Sequence, residues 1–573
     1  MRFFMVSAAK IDRLFFRTYK SAFCANKKMK KNGLYFLLVM WSFWGCVDKP
    51  LGGESAVDEK FTDIYQWMVS LESIPGSQPA NPLRAYLWIP PDCEDVKGIV
   101  LACHNLQEEG VLTHPDFREG MAELGFAEIW VTPGWNSIFD VKQGAQTAFE
   151  EALDKLAETS GYPELRYAPV VYMGHSAHAS APWHFGAWNP DRTLAMLSLH
   201  GDSPLSDFLC CNQVNPDWEG VRNIDGIPGL VCIGEHEWME ERIRSSFVFQ
   251  KAYPNSTISL LCDAGHWHSD ISERSIDYLV AFIKKAAACK IPVGWDGKSP
   301  VRLKKLNPRD GWLADRWRPE QLPTAPAAPY DAYKGDRDSA FWYFDEEMAH
   351  KTEYYYTLER SKKYQYINLM QDGQFVPMEQ DDFSFRPQAD GVTFHLKPAF
   401  TDVTGQHLSD QHADYPIHFQ RVSGPVKIVN DTTFRVQFYR AGFLDRRSGD
   451  IEIMVSAEAD DTYRRGWRRL ALHIPRRLTE GSLQKITFPE IADVKAGVKS
   501  ITLNATSDSG LPVCYYINGG PAVIEGDNLL FSAIPPKAKY PVKVSVVAWQ
   551  YGSMTAPLFQ SAEPVERVFY IHE

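Results

Sequence analysis

Short apolar runs alternate with helical segments from residue 83 to residue 290, and this alternation is the strongest constraint on the fold. Most runs are rich in Val, Ile and Leu without a period of two, which is typical of strands covered on both faces. Segment 146–158 carries Phe149, Leu153 and Leu156 at helical spacing. We therefore predict an α/β domain with a doubly wound, mostly parallel sheet. The apolar runs cover residues 85–89, 98–103, 127–132, 169–173, 194–199, 229–233 and 258–262.

The run at 169–173 leads directly into Gly-His-Ser-Ala-His at residues 174–178. A buried strand followed by Gly-x-Ser and a helix start resembles the nucleophile elbow of the α/β-hydrolase superfamily. The resemblance implies that Ser176 is the nucleophile and that the backbone N–H of Ala177 is an oxyanion donor. The sequence departs from the family at His178, where the family has the Gly that allows strand and helix to pack closely.

The catalytic base is expected after the last apolar run, which continues into Asp263-Ala-Gly-His266. This turn resembles the Gly-His turn after the last strand of the family. The resemblance implies that His266 removes the proton of Ser176, because a serine hydroxyl is a weak nucleophile without an adjacent base. His268 remains an alternative base two residues later.

Three carboxylates compete for the third place of the triad, where an acid orients the imidazole and stabilises the imidazolium. The run at 229–233 continues into Gly234-Glu-His-Glu237. Its likeness to the family's Gly-x-x-acid turn implies Glu237. Glu235 and Asp202, which follows the preceding strand, remain alternatives.

The run at 98–103 is followed by His104-Asn-Leu106, at the position of the family's oxyanion turn. The resemblance implies that the N–H of Leu106 is the second oxyanion donor, beside that of Ala177.

Four histidines near the predicted site also raise the question of a metal: His175, His178, His266 and His268. Two of them flank a backbone turn, and no carboxylate lies at metal-ligand spacing. We therefore predict neither a metal nor any other cofactor.

The pattern changes after residue 290. Residues 291–349 are rich in Pro, Trp and charge and predict a linker that wraps the catalytic domain, with a helix candidate at 341–356. Short alternating runs with turn signals predict a β-rich accessory domain at 350–484. Residues 485–573 contain SGLPV and GPA and resemble the Ig-like repeats of bacterial surface proteins, which implies a spacing or docking module.

The N-terminus has the order of an export signal. Lys30-Lys31 precede an apolar stretch at 33–45 that ends at Cys46, and the natural start of the chain is possible at Met29. Gly45-Cys46 resembles a lipoprotein signal, which predicts a leader at 1–46, an acylated Cys46 and a tether at 47–82. A plain signal peptide and an uncleaved anchor remain alternatives. The expected location is the outer membrane by a lipid anchor only, facing the periplasm or the cell surface, and otherwise the periplasm or the medium.

The charge of the chain bears on its partners. The net charge is −12 and Lys and Arg form no basic stripe, which argues against nucleic acid. Residues 83–290 resemble exported α/β-hydrolases related to carbohydrate esterases. The resemblance implies a serine esterase that removes acyl or methyl groups from a plant or microbial glycan. A serine peptidase and a catalytically inactive glycan-binding protein remain alternatives.

Overall fold

The computed structural model describes residues 61–72, 82–136, 138–205, 215–218, 223–378, 382–440, 442 and 449–573. The predicted leader at 1–46 and the first part of the predicted tether lie outside these residues, so acylation of Cys46 stays a prediction. Within the described ranges, no helix has both the length and the apolar character needed to cross a bilayer.

An eight-stranded sheet forms the centre of the α/β domain. Its strands are β1 (Trp67–Ser70), β2 (Arg84–Trp88), β3 (Gly98–Cys103), β4 (Phe126–Thr132), β5 (Val170–His175), β6 (Thr193–Leu199), β7 (Pro228–Gly234) and β8 (Thr257–Asp263). Their spatial order is β1-β2-β4-β3-β5-β6-β7-β8. β2 runs antiparallel to β1 and β4, and the other neighbouring pairs are parallel. This is the strand order of the α/β-hydrolase fold, so the predicted fold class is confirmed.

Helices cover both faces of this sheet. They are α1 (Glu108–Leu112), α2 (Pro115–Leu124), α3 (Ala145–Ser160), α4 (Ala181–Trp188), α5 (Glu240–Ala252) and α6 (Glu273–Lys290). Every residue of β3 is buried. Val100 belongs to the same apolar core as Phe117 of α2, whereas Ile99 shares a second core with Phe149 of α3. Burial on both faces explains why these strands read as continuous apolar runs rather than as alternating ones.

The carboxyl ends of the strands form the crevice in which such sheets bind ligands. β3 has β4 on one side and β5 on the other, so the strand order reverses at β3. Ligands of open α/β sheets bind at this switch point, beyond the carboxyl ends of the strands. The turns after β3, β5, β7 and β8 therefore decide what the domain can do.

The segment after residue 290 packs against the outer strand β8. Its elements are β9 (Trp312–Asp315), β10 (Ala328–Pro329), β11 (Ala340–Tyr343) and α7 (Glu346–Thr357). The hydroxyls of Tyr343 and Tyr356 both donate to the carbonyl of Leu260 in β8, at 2.7 and 3.0 Å. The helix begins later than the sequence predicted, because Asp345 caps it by accepting a hydrogen bond from the N–H of Met348.

Two β-rich regions follow, each with its own apolar core. The first contains β12 (Tyr366–Gln371), β13 (Gln374–Phe375), β14 (Asp382–Phe383), β15 (Thr393–His395), β16 (Lys397–Thr401), β17 (His418–Ser423), β18 (Val426–Asn430), β19 (Thr433–Val436), β20 (Asp450–Ala457) and β21 (Gly466–His473). The second contains β22 (Ile486–Thr487), β23 (Val494–Lys495), β24 (Ser500–Thr502), β25 (Thr506–Ser507), β26 (Cys514–Gly519), β27 (Ala522–Glu525), β28 (Asn528–Phe531), β29 (Val542–Trp549) and β30 (Val565–His572). The expectation of all-β accessory regions is confirmed, while the Ig-like character of the second stays a prediction.

Arginines of the first β-rich region reach carboxylates of the α/β domain. The ion pairs are Arg440 with Glu109, Arg464 with Glu235 and Arg465 with Asp270. All three arginines are almost fully buried. Breaking a buried ion pair by removing one partner costs about 3–5 kcal/mol. These contacts therefore fix the β-rich region against the turns that carry the candidate site.

Candidate active site

Ser176 lies at a sharp turn between β5 and α4. It begins a short 3-10 helix, Ser176–His178, and its φ is 54°, in the left-handed region that a residue with a side chain adopts at a cost of about 1–3 kcal/mol. A Cβ at Gly174 would overlap the carbonyl oxygen of His178, and a Cβ at Gly201 would overlap the side chain of Ala179. Close packing at the elbow therefore relies on Gly174 and Gly201.

The imidazole beside Ser176 belongs to His268. Its Nε2 lies 2.7 Å from Ser176 Oγ, and its Nδ1 lies 2.6 Å from Glu237 Oε2. These distances form an uninterrupted chain of hydrogen bonds from hydroxyl to imidazole to carboxylate. Such a chain is the geometry in which a serine is activated by a base that an acid orients.

The prediction that His266 approaches Ser176 is wrong. His266 is fully buried, and its Nδ1 lies 2.9 Å from Asp263 Oδ1 and 2.9 Å from the carbonyl of Ala264. The left-handed turn at Gly265, with φ of 76°, precedes it. Asp263 comes only three residues earlier and holds the first histidine of the turn, so the second one reaches the hydroxyl.

Glu237 is the carboxylate that contacts the imidazole next to Ser176, whereas the sequence analysis paired Glu237 with His266. Burial raises the pKa of Glu237, but His268 and His200 outweigh burial and hold that pKa well below its usual range. The alternatives have other partners. Glu235 Oε1 pairs with Arg464 at 2.8 Å, and Asp202 Oδ1 lies 3.8 Å from Arg242.

The two predicted oxyanion donors differ in their surroundings. Ala177 directly follows Ser176 in the 3-10 helix. The N–H of Leu106, in contrast, donates to Glu108 Oε2 at 2.9 Å, so the expectation that this N–H faces the reaction centre does not hold in this arrangement. The reason is that Glu108 lies in the first turn of α1, where a carboxylate is stabilised by backbone N–H groups.

Glu108 also connects the turn after β3 to the elbow. Its Oε1 accepts the N–H of His175 at 3.0 Å, while Asn105 Nδ2 donates to the carbonyl of His175 at 2.8 Å. Burial raises the pKa of Glu108 to about 7, against the opposing effect of its backbone hydrogen bonds. Both backbone groups of the residue before Ser176 are thus held by side chains from one turn.

Two further histidines support the base and the acid. His175 Nε2 lies 2.6 Å from the carbonyl of His268, and burial, together with His268 and His200, holds the pKa of His175 well below its usual range. A neutral His175 can therefore donate to that carbonyl. His200 Nδ1 lies 2.6 Å from Glu237 Oε1. The sequence analysis assigned neither residue such a support, because their partners are distant in sequence.

The predicted four-histidine cluster does not converge on one point, since His175 contacts a carbonyl and His266 contacts Asp263. Among the described residues, His200, Glu237 and His268 do offer ligand atoms within 4.8 Å of one another. Each oxygen of Glu237 already serves one of these imidazoles at 2.6 Å. These three residues therefore fit a hydrogen-bonded arrangement in which the Glu237 carboxylate contacts both His268 and His200.

The rim of the site is aromatic and comes partly from the first β-rich region. Trp267 stacks on Trp467 of β21 with ring centroids 5.5 Å apart and planes at 14°. Trp267 also lies 5.8 Å from the ring of His268, and Arg469 of β21 lies over its face at 5.3 Å. The β-rich region therefore contributes Trp467 and Arg469 to the surroundings of Trp267, the neighbour of His268, and no sequence motif indicated this contact.

No protein-family model and no curated protein matches the chain. Solved structures match part of the chain. Est1E from Butyrivibrio proteoclasticus is 17% identical over 38% of this chain and 100% of its own, with a TM-score of 0.27. A dienelactone hydrolase from Anabaena variabilis is 16% identical over 39% of this chain and 96% of its own, with a TM-score of 0.26. S-formylglutathione hydrolase FrmB from Staphylococcus aureus is 12% identical over 39% and 96%, with a TM-score of 0.27. The assignment to the α/β-hydrolase fold rests on the strand order and the elbow rather than on these scores.

Proposed function

We propose that the protein is a serine hydrolase that cleaves carboxylic esters with Ser176, His268 and Glu237. The observation that carries this proposal is the pair of hydrogen bonds at His268, 2.7 Å to Ser176 Oγ and 2.6 Å to Glu237 Oε2. The proposal replaces His266 by His268 as the base. An inactive scaffold would not need both contacts on one imidazole at the carboxyl edge of the sheet.

The chemistry follows from these positions. Ser176 Oγ attacks the ester carbonyl carbon while its proton moves to His268 Nε2. The ester C–O bond then breaks, and His268 returns the proton to the departing alkoxide. Water attacks the acyl-serine with His268 as base, which releases the acid and restores Ser176. Glu237 keeps Nδ1 protonated throughout and stabilises the imidazolium. The N–H of Ala177 stabilises the oxyanion.

The decisive variant is Ser176→Ala, assayed on aryl acetates and with a fluorophosphonate probe. Removing the nucleophile of a triad lowers kcat by roughly a million-fold. We expect labelling to disappear while the thermal unfolding temperature stays close to that of the wild type. A variant that retains a tenth of the esterase activity overturns the proposal. Peptide nitroanilide cleavage without aryl acetate cleavage would favour a serine peptidase instead.

For the substrate, we propose an acyl or methyl ester on a glycan. The support is the Trp267–Trp467 pair at the rim, because both indoles are partly exposed and their exposed edges offer an apolar surface for sugar rings. An ester panel of acetylated, methylated and feruloylated polysaccharides identifies the group removed.

Trp467→Ala tests the rim separately from the triad. We expect a higher KM on the polymeric ester and an unchanged kcat on small aryl acetates. Trp295→Ala is the matched control, because Trp295 is half-buried in the wrapping segment and donates to Ser299. Equal effects of the two variants on the polymer would remove Trp467 from the substrate site.

We also propose that the chain is exported and anchored by a lipid on Cys46, with residues 485–573 as a docking module. The support is the order of basic residues, apolar stretch and Cys at the N-terminus. Cys46→Ser should release the protein from the membrane fraction or block its processing. An unmodified mature N-terminus beyond Cys46 in mass spectrometry would contradict the anchor.

A further inference from the structure

The acid of the proposed triad has a second imidazole partner. Glu237 uses Oε2 for His268 and Oε1 for His200, each at 2.6 Å. Oε1 also accepts the N–H of Gly234 at 3.3 Å. The orientation of the Glu237 carboxylate therefore depends on two rings that lie on opposite oxygens.

His200 is built into the fold at this position. It directly follows β6, is almost completely buried, and has φ of 51°. Its N–H donates to the carbonyl of Cys232 at 2.7 Å. A Cβ on Gly234 would stand only 3.3 Å from the ring of His200, tighter than ordinary packing. A left-handed, buried histidine costs stability, and such outliers cluster at functional sites.

A second carboxylate stands behind His200. Its Nε2 lies 3.7 Å from Asp263 Oδ2, while Asp263 Oδ1 is held by His266 at 2.9 Å and by the hydroxyl of Tyr355. The side chains thus form a row that runs from His268 through Glu237 and His200 to Asp263 and His266. Carboxylates and imidazoles alternate along this row, so each carboxylate has an imidazole on both sides.

We propose that His200 is a positioning residue that holds Glu237 in the orientation required to align His268 with Ser176. This inference rests on the proposed serine hydrolase function. His200 itself lies three hydrogen bonds away from the Ser176 hydroxyl, so it acts through Glu237. It also gives His266 a role, because His266 fixes the Asp263 carboxylate that backs His200.

The charges around His200 agree with this role. Burial lowers the pKa of His200, but Asp263 and Glu237 outweigh burial and raise it to about 9. His200 is therefore a cation at neutral pH, placed between two carboxylates. Other ionisable groups lie near His200. The ring centroids of His175 and His268 are 5.6 and 6.1 Å from that of His200, and Cys232 Sγ lies within 4.8 Å of a His200 ring nitrogen. Arg242 lies 3.7 Å from the carboxylate of Glu237.

The test compares His200→Asn with His200→Leu. The Asn amide places an N–H donor near the position of Nδ1, and Asn also tolerates a positive φ. Leu removes the donor. His114→Leu is the matched control, because it makes the same change at a partly buried histidine whose charged neighbours are Asp116 and Glu273. Steady-state kinetics on an aryl acetate and the rate of fluorophosphonate labelling are measured for each folded variant.

We expect His200→Leu to lower kcat by on the order of 10- to 100-fold, less than loss of the acid itself, with KM changed by less than about threefold. His200→Asn should recover most of this loss, and His114→Leu should show none of it. If His200→Leu does not fold, the His200→Asn variant decides the matter. A kcat more than about tenfold below that of the wild type would then contradict the inference, because Asn keeps the N–H donor.

The inference fails if His200→Leu keeps wild-type kcat, or if Asn and Leu lower kcat equally. Ser176→Ala is included in the same series. If Ser176→Ala still reacts with the probe, the serine hydrolase proposal fails, whatever the kinetics of the His200 variants. Loss of labelling in Ser176→Ala beside wild-type kinetics in His200→Leu overturns the role of His200 alone.

Discussion

Two turns at the carboxyl edge of the sheet carry the hydroxyl and the imidazole, and they are fixed by different forces. The turn after β5 is fixed by packing, since Gly174 and Gly201 leave no space for a side chain and Ser176 adopts φ of 54°. The turn after β8 is fixed by charge, since Asp263 holds His266 and Glu237 holds His268. Packing therefore fixes the position of the hydroxyl, whereas contacts with carboxylates fix the positions of the two imidazoles.

Replacing each histidine of the turn after β8 is the strongest test of this difference between the two turns. His268→Gln should lower kcat by roughly a million-fold, because losing the base costs as much as losing the nucleophile in a comparable triad. His266→Gln should lower kcat by no more than about a hundredfold, since it acts only through Asp263, but should unfold at a lower temperature because the buried contact between His266 and Asp263 is lost. Aryl acetate kinetics and thermal unfolding of both variants decide this.

A severe loss of kcat in His266→Gln beside a mild one in His268→Gln would reverse the assignment. It would also mean that the turn at Gly265 adopts another arrangement during catalysis.

The same contrast applies to the two acids after β7. Glu237→Gln should lower kcat by about ten-thousand-fold, because an amide stabilises the wrong imidazole tautomer. Glu235→Gln should lower kcat by less than about tenfold, since Glu235 pairs with Arg464 of the β-rich region rather than with an imidazole. Both are measured at saturating substrate. Mild losses in both variants would leave the triad without its acid.

The two turns also explain which features the sequence could predict. The parallel sheet can be predicted from the sequence because strands buried on both faces appear as continuous apolar runs. Ser176 is readable because the steric demands of its turn are met by neighbours in sequence. The choice between His266 and His268 depends on partners from other strands, and Asp263 is the only local signal, a carboxylate three residues before His266 that can hold it.

Two other features were hidden for related reasons. The N–H of Leu106 was assigned from the family's turn, but a nearby carboxylate, Glu108, takes it. The rim residue Trp467 lies about two hundred residues beyond the turn that it covers, and it stacks on Trp267 because buried arginines dock the β-rich region. Competition for a donor and docking between domains leave no periodic pattern.

Adding a methyl group at Gly174 should disrupt the turn after β5. Gly174→Ala should lower the free energy of unfolding by about 3 kcal/mol, because its Cβ would overlap the carbonyl oxygen of His178 and overpacking costs this much. Gly110→Ala in α1 is the control, because its Cβ would lie 3.4 Å from Ile271, an ordinary contact. Denaturant unfolding at two pH values should give the same loss for Gly174→Ala at both. A loss that varies strongly with pH would show that charge also fixes this turn.

The charge-fixed turn should instead respond to pH through His200, and this is the smallest effect expected. Its folded-state pKa of about 9 lies above the ordinary histidine value of 6.5. A group whose pKa is raised on folding stabilises the protein fully below its unfolded pKa, and this contribution is lost as the pH rises through the folded pKa. The carboxylates Glu237 and Asp263 have lowered pKa values and stay ionised throughout this window. The stability advantage of the wild type over His200→Asn should therefore shrink by up to roughly 3 kcal/mol between pH 6 and pH 9.5. Urea unfolding of both proteins across this range measures it, and a constant difference would show that His200 is not a cation between the two carboxylates.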